Sequence, residues 1–368
     1  MENKNLVNIA KIPKPLLKWY DANMRLLPWR ENPEPYRVWV SEIMLQQTRV
    51  EAVKPYFDRF MDKLPDIGHL AAAPEETLLK LWEGLGYYMR VRNLKNAALQ
   101  IMEEYNGRIP EEYNELMKLK GIGSYTAGAI ASISFKRPVP AVDGNVLRVL
   151  SRIRKDESCI SEQKVKARVE AELAGIIPRD RPGDFNQAMM EIGALVCIPN
   201  GVPRCRSCPL AELCLAHAAG EEQEYPRKAA KKARVIEQKT VLVIRDDQKA
   251  ALKKRPGRGL LAGMYEFPSL EGHRTAEEVI AYLAAGGIKA LQIKPLTAAK
   301  HIFSHREWHM IGYMIRVDEL EERTYNGDSQ DWILMEPAET EENYPIPAAY
   351  LAYTKYLGIK LGNARYQY

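Results

Sequence analysis

Long apolar runs are missing from this sequence. Nothing in it approaches the roughly 20 consecutive apolar residues that a membrane span needs, so no membrane association is expected. The opening stretch MENKNLVNIAKIPK also lacks the apolar segment of a secretory signal, and a cytoplasmic location is expected. Cysteine is scarce: there are five in 368 residues, four of them crowded between Cys197 and Cys214, with Cys159 apart. A disulfide framework spreads its cysteines along the chain, so this crowding points instead to a metal or cluster site in a reducing compartment. Neither sign of charge dominates. The 53 Lys and Arg against 48 Asp and Glu leave a net +5, which permits an anionic polymer as partner without demanding one.

What is present fits a soluble globular protein: 46% hydrophobic and 27% charged residues. At 368 residues the chain is too long for one ordinary core, and two domains are expected. Residues 1–222 read as helical. Apolar side chains recur at helical spacing in PYRVWVSEIMLQQTRVEAVKPYFDRF, in EETLLKLWEGLGYYMRVRNLKNAALQIMEEY and in GNVLRVLSRI, with Pro or Gly in the turns between them. The character changes over residues 223–237. Five of the eight residues from Arg227 to Arg234 are basic, which reads as an exposed tether or as an arm that touches phosphates. Residues 238–356 carry strand-like runs (KTVLVIRDD, KAALKKRP, MYEFPSL, WHMIGYMIRV) and one helical stretch, TAEEVIAYLAAGG, as in a smaller α+β domain. The tail 357–368 gives no strong signal.

The cysteines of CIPNGVPRCRSCPLAELC are spaced C-x7-C-x2-C-x5-C, at Cys197, Cys205, Cys208 and Cys214. Four thiolates so close converge on one centre only if the chain loops around it, and Pro199, Gly201, Pro203 and Pro209 supply the bends. The set suits a 4Fe–4S cluster or a structural zinc. Zinc ribbons usually use two C-x2-C knuckles; one is present here, which favours the iron–sulfur cluster in a structural role. Arg204 and Arg206 would give it a basic rim.

In MKLKGIGSYTAGAI the glycines Gly121 and Gly123 form a turn between two helices, about 113–135 in all. Such a turn lets backbone approach a ligand and leaves the next helix's N–H groups open to an anion. No Gly-Lys-Ser/Thr follows it and no strand precedes it, so a P-loop and a dinucleotide turn are both disfavoured. A nucleic-acid phosphate fits, and so does a plain tight turn. Two acids stand out. Glu42 has Val38, Val40, Ile43 and Leu45 around it in sequence, a setting that raises a carboxyl's pKa. Asp143 opens a helix before Gly144 and Asn145, where free N–H groups favour the charged form. Locally, the plainer readings are a solvent-facing acid and a simple N-cap.

Taken together, the turn, the downstream Asp143 and the four-cysteine loop resemble the helix–hairpin–helix DNA glycosylases that carry an iron–sulfur cluster. Within them the sequence is similar to the adenine DNA glycosylases of the MutY type. The resemblance rests on LPWR, VSEIMLQQTRV, WEGLGYYMRVRNL, LKGIGSYTAGAI, VDGNVLRVLSR and FNQAMMEIGALVC, which span nearly the whole helical domain. The first cysteine gap is seven residues, where the family commonly has six. Lyase relatives place a nucleophilic lysine in the glycine turn. Tyr125 stands there, and a phenol cannot form an imine; Lys120 lies only at the hairpin's start. The resemblance therefore implies a monofunctional glycosylase that hydrolyses the bond to adenine mispaired with 8-oxoguanine or guanine in duplex DNA. It implies Glu42 as the acid at adenine N7, Asp143 as the stabiliser of the sugar cation, and Tyr125 and Asn145 as orienting groups. Arg30 and Gln187 would contact the flipped base, with Gln47, Thr48, Gly121 and Gly123 on the DNA and Gln47 and Tyr87 as the wedge. A surface Gln47 and a core Tyr87 are the plainer alternatives.

The second domain resembles the family's MutT-like (Nudix-fold) domain, through GLLAGMYEFPS and through Phe303, Ser304 and His305, the expected reader of the oxidised base. A Nudix hydrolase needs a dense acidic box for Mg²⁺. Glu277 and Glu278 lack its partners, so binding without hydrolysis is expected. His301, His305 and His309 recur every four residues in a strand-like segment, which disfavours a metal there. A monomer acting near the nucleoid is expected. The rivals are a lyase for oxidised pyrimidines, a lesion-binding protein without catalysis, and a nucleotide pyrophosphohydrolase.

Overall fold

The computed structural model describes residues 7–230, 233–320 and 332–362. Over these residues the chain packs as two compact units, Met1–Ala72 with Asn93–Ala230, and Ala73–Arg92 with Lys231–Tyr368.

The first unit is helical. Its helix Pro35–Leu45 starts on a proline, whose missing N–H costs nothing at that position. It is apolar almost all round and correspondingly buried, with Val38, Trp39, Val40, Ile43 and Met44 inside, each worth about 1.5–3 kcal/mol of burial. The helices Pro13–Asn23, Gly144–Arg154, Gln163–Ala174 and Pro182–Leu195 share a second core built on Leu16, Val146, Leu150, Val169, Phe185, Met189 and Ile192. Cys197, Cys208 and Cys214 pack against that core. A Cβ added at Gly193 would stand 2.6 Å from the Asn145 Cβ, so only glycine lets helix Pro182–Leu195 approach the start of helix Gly144–Arg154 this closely.

Two stretches in which apolar residues recur at helical spacing are each broken. Helix Pro35–Leu45 stops before Gln46–Arg49 and helix Val50–Lys63 follows; helix Glu75–Leu81 stops well before Met89–Glu104. At the breaks stand Gln47 (φ 60°) and Tyr87 (φ 49°), both in the left-handed region that non-glycine residues avoid.

In the second unit, strands β1 (Val235–Arg245), β2 (Ala250–Lys254), β3 (Tyr265–Glu266), β4 (Ser269–Glu271), β5 (Ala290–Ile302), β6 (Arg306–Val317) and β7 (Trp332–Met335) form one mixed sheet. Its order is β3-β2-β1-β6-β5, with β4 on β1 and β7 on β2; β1 and β6 run parallel. Strand alternation sends Val241 and Val243 to one face, with Trp308, Met310, Tyr350 and Tyr353, and Leu242 and Ile244 to the other, against Val279 and Leu283 of helix Ala276–Ala285. That helix begins on a capping box of Thr275 and Glu278. Within the same unit, Glu83 is fully buried and accepts the backbone N–H groups of Ile346 and Gly362, each at 2.7 Å, and Lys80 at 2.9 Å. Strand β1 begins at Val235, inside the basic stretch; Lys231, Lys232 and the last six residues of the tail lie outside the described residues.

Candidate active site

One open pocket of about 920 Å³ in the first unit gathers Arg30, Glu42, Gln47, Thr48, Tyr125, Asp143, Asn145 and Gln187. Glu42 comes from the last turns of its helix and is only 6% exposed, so it is no solvent-facing acid. Burial, helped by the negative charge of Asp143, pushes its carboxyl up to about 7, against the pull of the Tyr125 hydroxyl and Arg30. Tyr125 donates its hydroxyl to Glu42 Oε2. Its own pKa is pushed well above the ordinary value, by burial first and then by the two acids, so it stays a donor.

Asp143 is the N-cap of helix Gly144–Arg154. One oxygen accepts the backbone N–H groups of Asn145 at 2.9 Å and Val146 at 2.8 Å; the other accepts Asn145 Nδ2 at 2.6 Å. From its sequence position Asp143 is expected to be held in its charged form by these groups. They are present, yet burial outweighs them and its pKa lies above the ordinary carboxylate value. Three N–H donors converge on Asp143 while Glu42 has one hydroxyl, so hydrogen bonding favours the ionised form more at Asp143 than at Glu42. Asn145 Oδ1 in turn accepts Arg148 Nη2 at 2.8 Å, and Arg148 Nε donates to the Cys197 carbonyl at 2.8 Å.

Gly121 turns the hairpin at φ +77°, where an added Cβ would also meet the Asn93 Cβ at 2.6 Å. Gly123 caps helix Ser124–Ile133 without any side-chain cap, which leaves its first N–H groups open to an anion. Thr48 bonds the Gln46 carbonyl at 3.4 Å, and Gln47 is exposed.

Cys197, Cys205, Cys208 and Cys214 line a single cavity floored by Val149, Ile153, Ile192, Val196 and Leu210. None is in a disulfide. Burial pushes Cys205 up to about 12 and Cys208 up to about 11, so thiolates there need a cation to hold them. Arg152 Nη1 lies 3.2 Å from Cys197 Sγ, a charged donor suited to a ligating sulfur. The four thiols line one cavity, as a four-thiolate group requires; His217 and Glu222 line it too, and with Cys205 their ligand atoms lie within 4.8 Å of one another.

The model of the HhH-GPD superfamily of base excision DNA repair proteins matches residues 40–175, and a NUDIX domain model matches 240–355. An adenine DNA glycosylase of Arabidopsis thaliana is 42% identical over 71% of this chain and 47% of its own length. One of Homo sapiens is 34% identical over 82% of this chain and 66% of its own. One of Buchnera aphidicola from Schizaphis graminum is 34% identical over 82% of this chain and 86% of its own. The chain belongs to the adenine DNA glycosylase family. It spans 47% of the length of the first relative and 66% of the second. A solved thermostable thymine-DNA glycosylase shares the fold of the helical part: TM-score 0.51, 25% identity, 57% of this chain and 97% of the other.

Membership in the adenine DNA glycosylase family pairs a helix–hairpin–helix domain with a Nudix-like one, and the second unit gathers the remaining candidates. Tyr87 is 51% exposed, so it is not a core residue, and its hydroxyl lies 3.2 Å from Ser304 Oγ. Phe303 packs edge-on to Trp308 at 4.8 Å and His301 at 4.6 Å; the His305 carbonyl accepts the Val235 N–H at 3.1 Å. Glu278 is spent in its capping box, and His301 and His309 sit on neighbouring strands. Motif reading overlooked Arg25, Lys166, Met190 and Glu191, all on the pocket wall. The visible signal for Glu191 was an acid inside the otherwise apolar run MMEIGAL.

Proposed function

We propose that this chain hydrolyses the N-glycosidic bond of adenine mispaired with 8-oxoguanine, or with guanine, in duplex DNA. The observation that carries the reading is the placement of Glu42 and Asp143 in one pocket, one buried and bonded to a tyrosine hydroxyl, the other cradled by N–H groups. Adenine is a poor leaving group until N7 is protonated, and Glu42, whose pKa lies near 7, supplies that proton. As the bond breaks, positive charge grows on the sugar, and ionised Asp143 stabilises it before water adds at C1′. The nucleotide reaches this pocket by leaving the base stack, with Gln47 and Tyr87 filling the gap. Arg30 and Gln187 line the pocket where the extruded base would lie.

The lyase reading finds little support. Tyr125 occupies the turn, and the pocket's Lys166 amine is engaged by Ser124 Oγ at 2.9 Å and Glu170 at 3.7 Å. Cys197, Cys205, Cys208 and Cys214 would hold a 4Fe–4S cluster, with structural zinc as the alternative. Such a group supplies a fixed loop, not a redox step. Phe303, Ser304 and His305 would read the oxidised base, in a domain that binds without hydrolysing. Among the described residues no helix is long and apolar enough to cross a membrane. A monomer working on chromosomal DNA near the nucleoid fits this activity.

The test is incubation with a duplex carrying adenine opposite 8-oxoguanine. Release of free adenine, leaving a strand intact until alkali is added, is the expected result. Strand cleavage with a borohydride-trapped adduct would favour the lyase, and retention of all adenine would favour a non-catalytic binder.

A further inference from the structure

Helix Pro182–Leu195 brings Gln187 to the pocket and, one turn on, Glu191, which no step above uses. The Glu191 side chain is 1% exposed. Its Oε1 accepts the Arg25 backbone N–H at 3.2 Å and Arg25 Nε at 2.6 Å; its Oε2 accepts Arg25 Nη2 and Arg30 Nη2, each at 2.9 Å. Four donors fill about the whole lone-pair capacity of a carboxylate. Arg30 is fixed further by Nη1 on the Arg25 carbonyl at 3.1 Å and by its stacking over Tyr20 at 5.8 Å. Buried ion pairs of this kind add little stability over apolar packing, so stability alone does not explain why one sits on this wall.

We propose that Glu191 is a positioning residue for adenine excision: it locks Arg30 in the pocket wall and offsets the Arg30 charge that would otherwise draw the proton from Glu42. The inference rests on the adenine glycosylase reading. The groups that face Glu42 are Tyr125 from helix Ser124–Ile133, Asp143 from the start of helix Gly144–Arg154 and Arg30 from helix Pro28–Glu31. Those that face Glu191 are Arg25, Arg30 and Tyr20. Glu191 is the carboxylate that offsets Arg30, and Arg25 shares it. Without Glu191 the Arg30 charge stands uncompensated, and a nearby positive charge favours the ionised form of Glu42. Since the reaction needs Glu42 protonated, the loss of activity at high pH then sets in earlier.

The experiment measures single-turnover adenine release against pH for Glu191→Gln, Glu191→Asp and Arg25→Gln, with folding checked by circular dichroism. Glu191→Gln should move the alkaline limb down by about one pH unit, so that its rate relative to wild type falls about tenfold between acid and alkaline pH. Glu191→Asp keeps the charge and should restore the limb. Arg25→Gln leaves Glu191 to Arg30 alone and should move the limb up, which decides the matter even if Glu191→Gln does not fold. A loss equal at every pH, or both charge variants shifting the same way, overturns the proposal. Infrared titration of the Glu42 carboxyl in the free protein should show the same opposite shifts. That readout stands even if another base proves to be the one released, so the two readings fail separately.

Discussion

Glu42 carries a cost that the proposed role explains. A carboxyl whose pKa is about 7 in the folded protein and 4.5 when exposed loses its proton first in the unfolded chain. Its stabilising protonated state is fully present below about pH 4.5, and that contribution is lost as pH rises through about 7. Glu42→Gln should therefore raise stability at about pH 8, by about 3 kcal/mol in denaturant titrations, while lowering adenine release by about 100-fold or more. A variant that loses activity and gains nothing in stability would count against the burial argument. The apolar neighbours of Glu42 in sequence made its raised pKa legible. The net direction at Asp143 was not, because caps are local while burial is contributed by distant segments. Glu191 escaped notice for the same reason: its partners Arg25 and Arg30 lie over 160 residues away.

At the level of elements, the helical character of the first domain and the hairpin at 113–133 were legible from apolar spacing and glycine. The interruptions at Gln47 and Tyr87 were not. Both residues hold left-handed backbone at a cost of order 1 kcal/mol, the kind of strain that collects at functional positions. Gln47→Gly should then stabilise the protein by about 0.5–1 kcal/mol, read from its unfolding midpoint, yet weaken binding to mispaired duplex. Unchanged DNA affinity would return Gln47 to an ordinary surface residue. Strand β5 escaped the apolar pattern because, as the outermost strand on its side of the sheet, it carries Lys294, Pro295 and Lys300 where a buried strand would alternate.

For the molecule as a whole, the presence of a helical part and an α+β part showed in the change of composition, but the first unit runs on past residue 222 to Ala230, and the packing of Ala73–Arg92 with the second unit depends on buried links such as Glu83 to Ile346 that sequence does not display. One helix ties the pocket to the cysteine loop. Asp143 and Asn145 open Gly144–Arg154, Arg148 reaches the Cys197 carbonyl and Arg152 reaches its sulfur. With the proposed cluster bound, Arg152→Ala should speed its loss to a chelator by about tenfold, followed by visible absorption. Equal rates would leave Arg152 a packing residue.

The most direct measurement is the single-turnover rate of adenine release across pH in the wild-type protein beside Glu42→Gln. Adenine loss assisted by a buried acid predicts a wild-type rate that falls as pH rises through about 7, and a slow variant in which that alkaline fall is gone. A wild-type rate that holds steady or climbs through about pH 8, or a Glu42→Gln variant with the same alkaline fall, would contradict it.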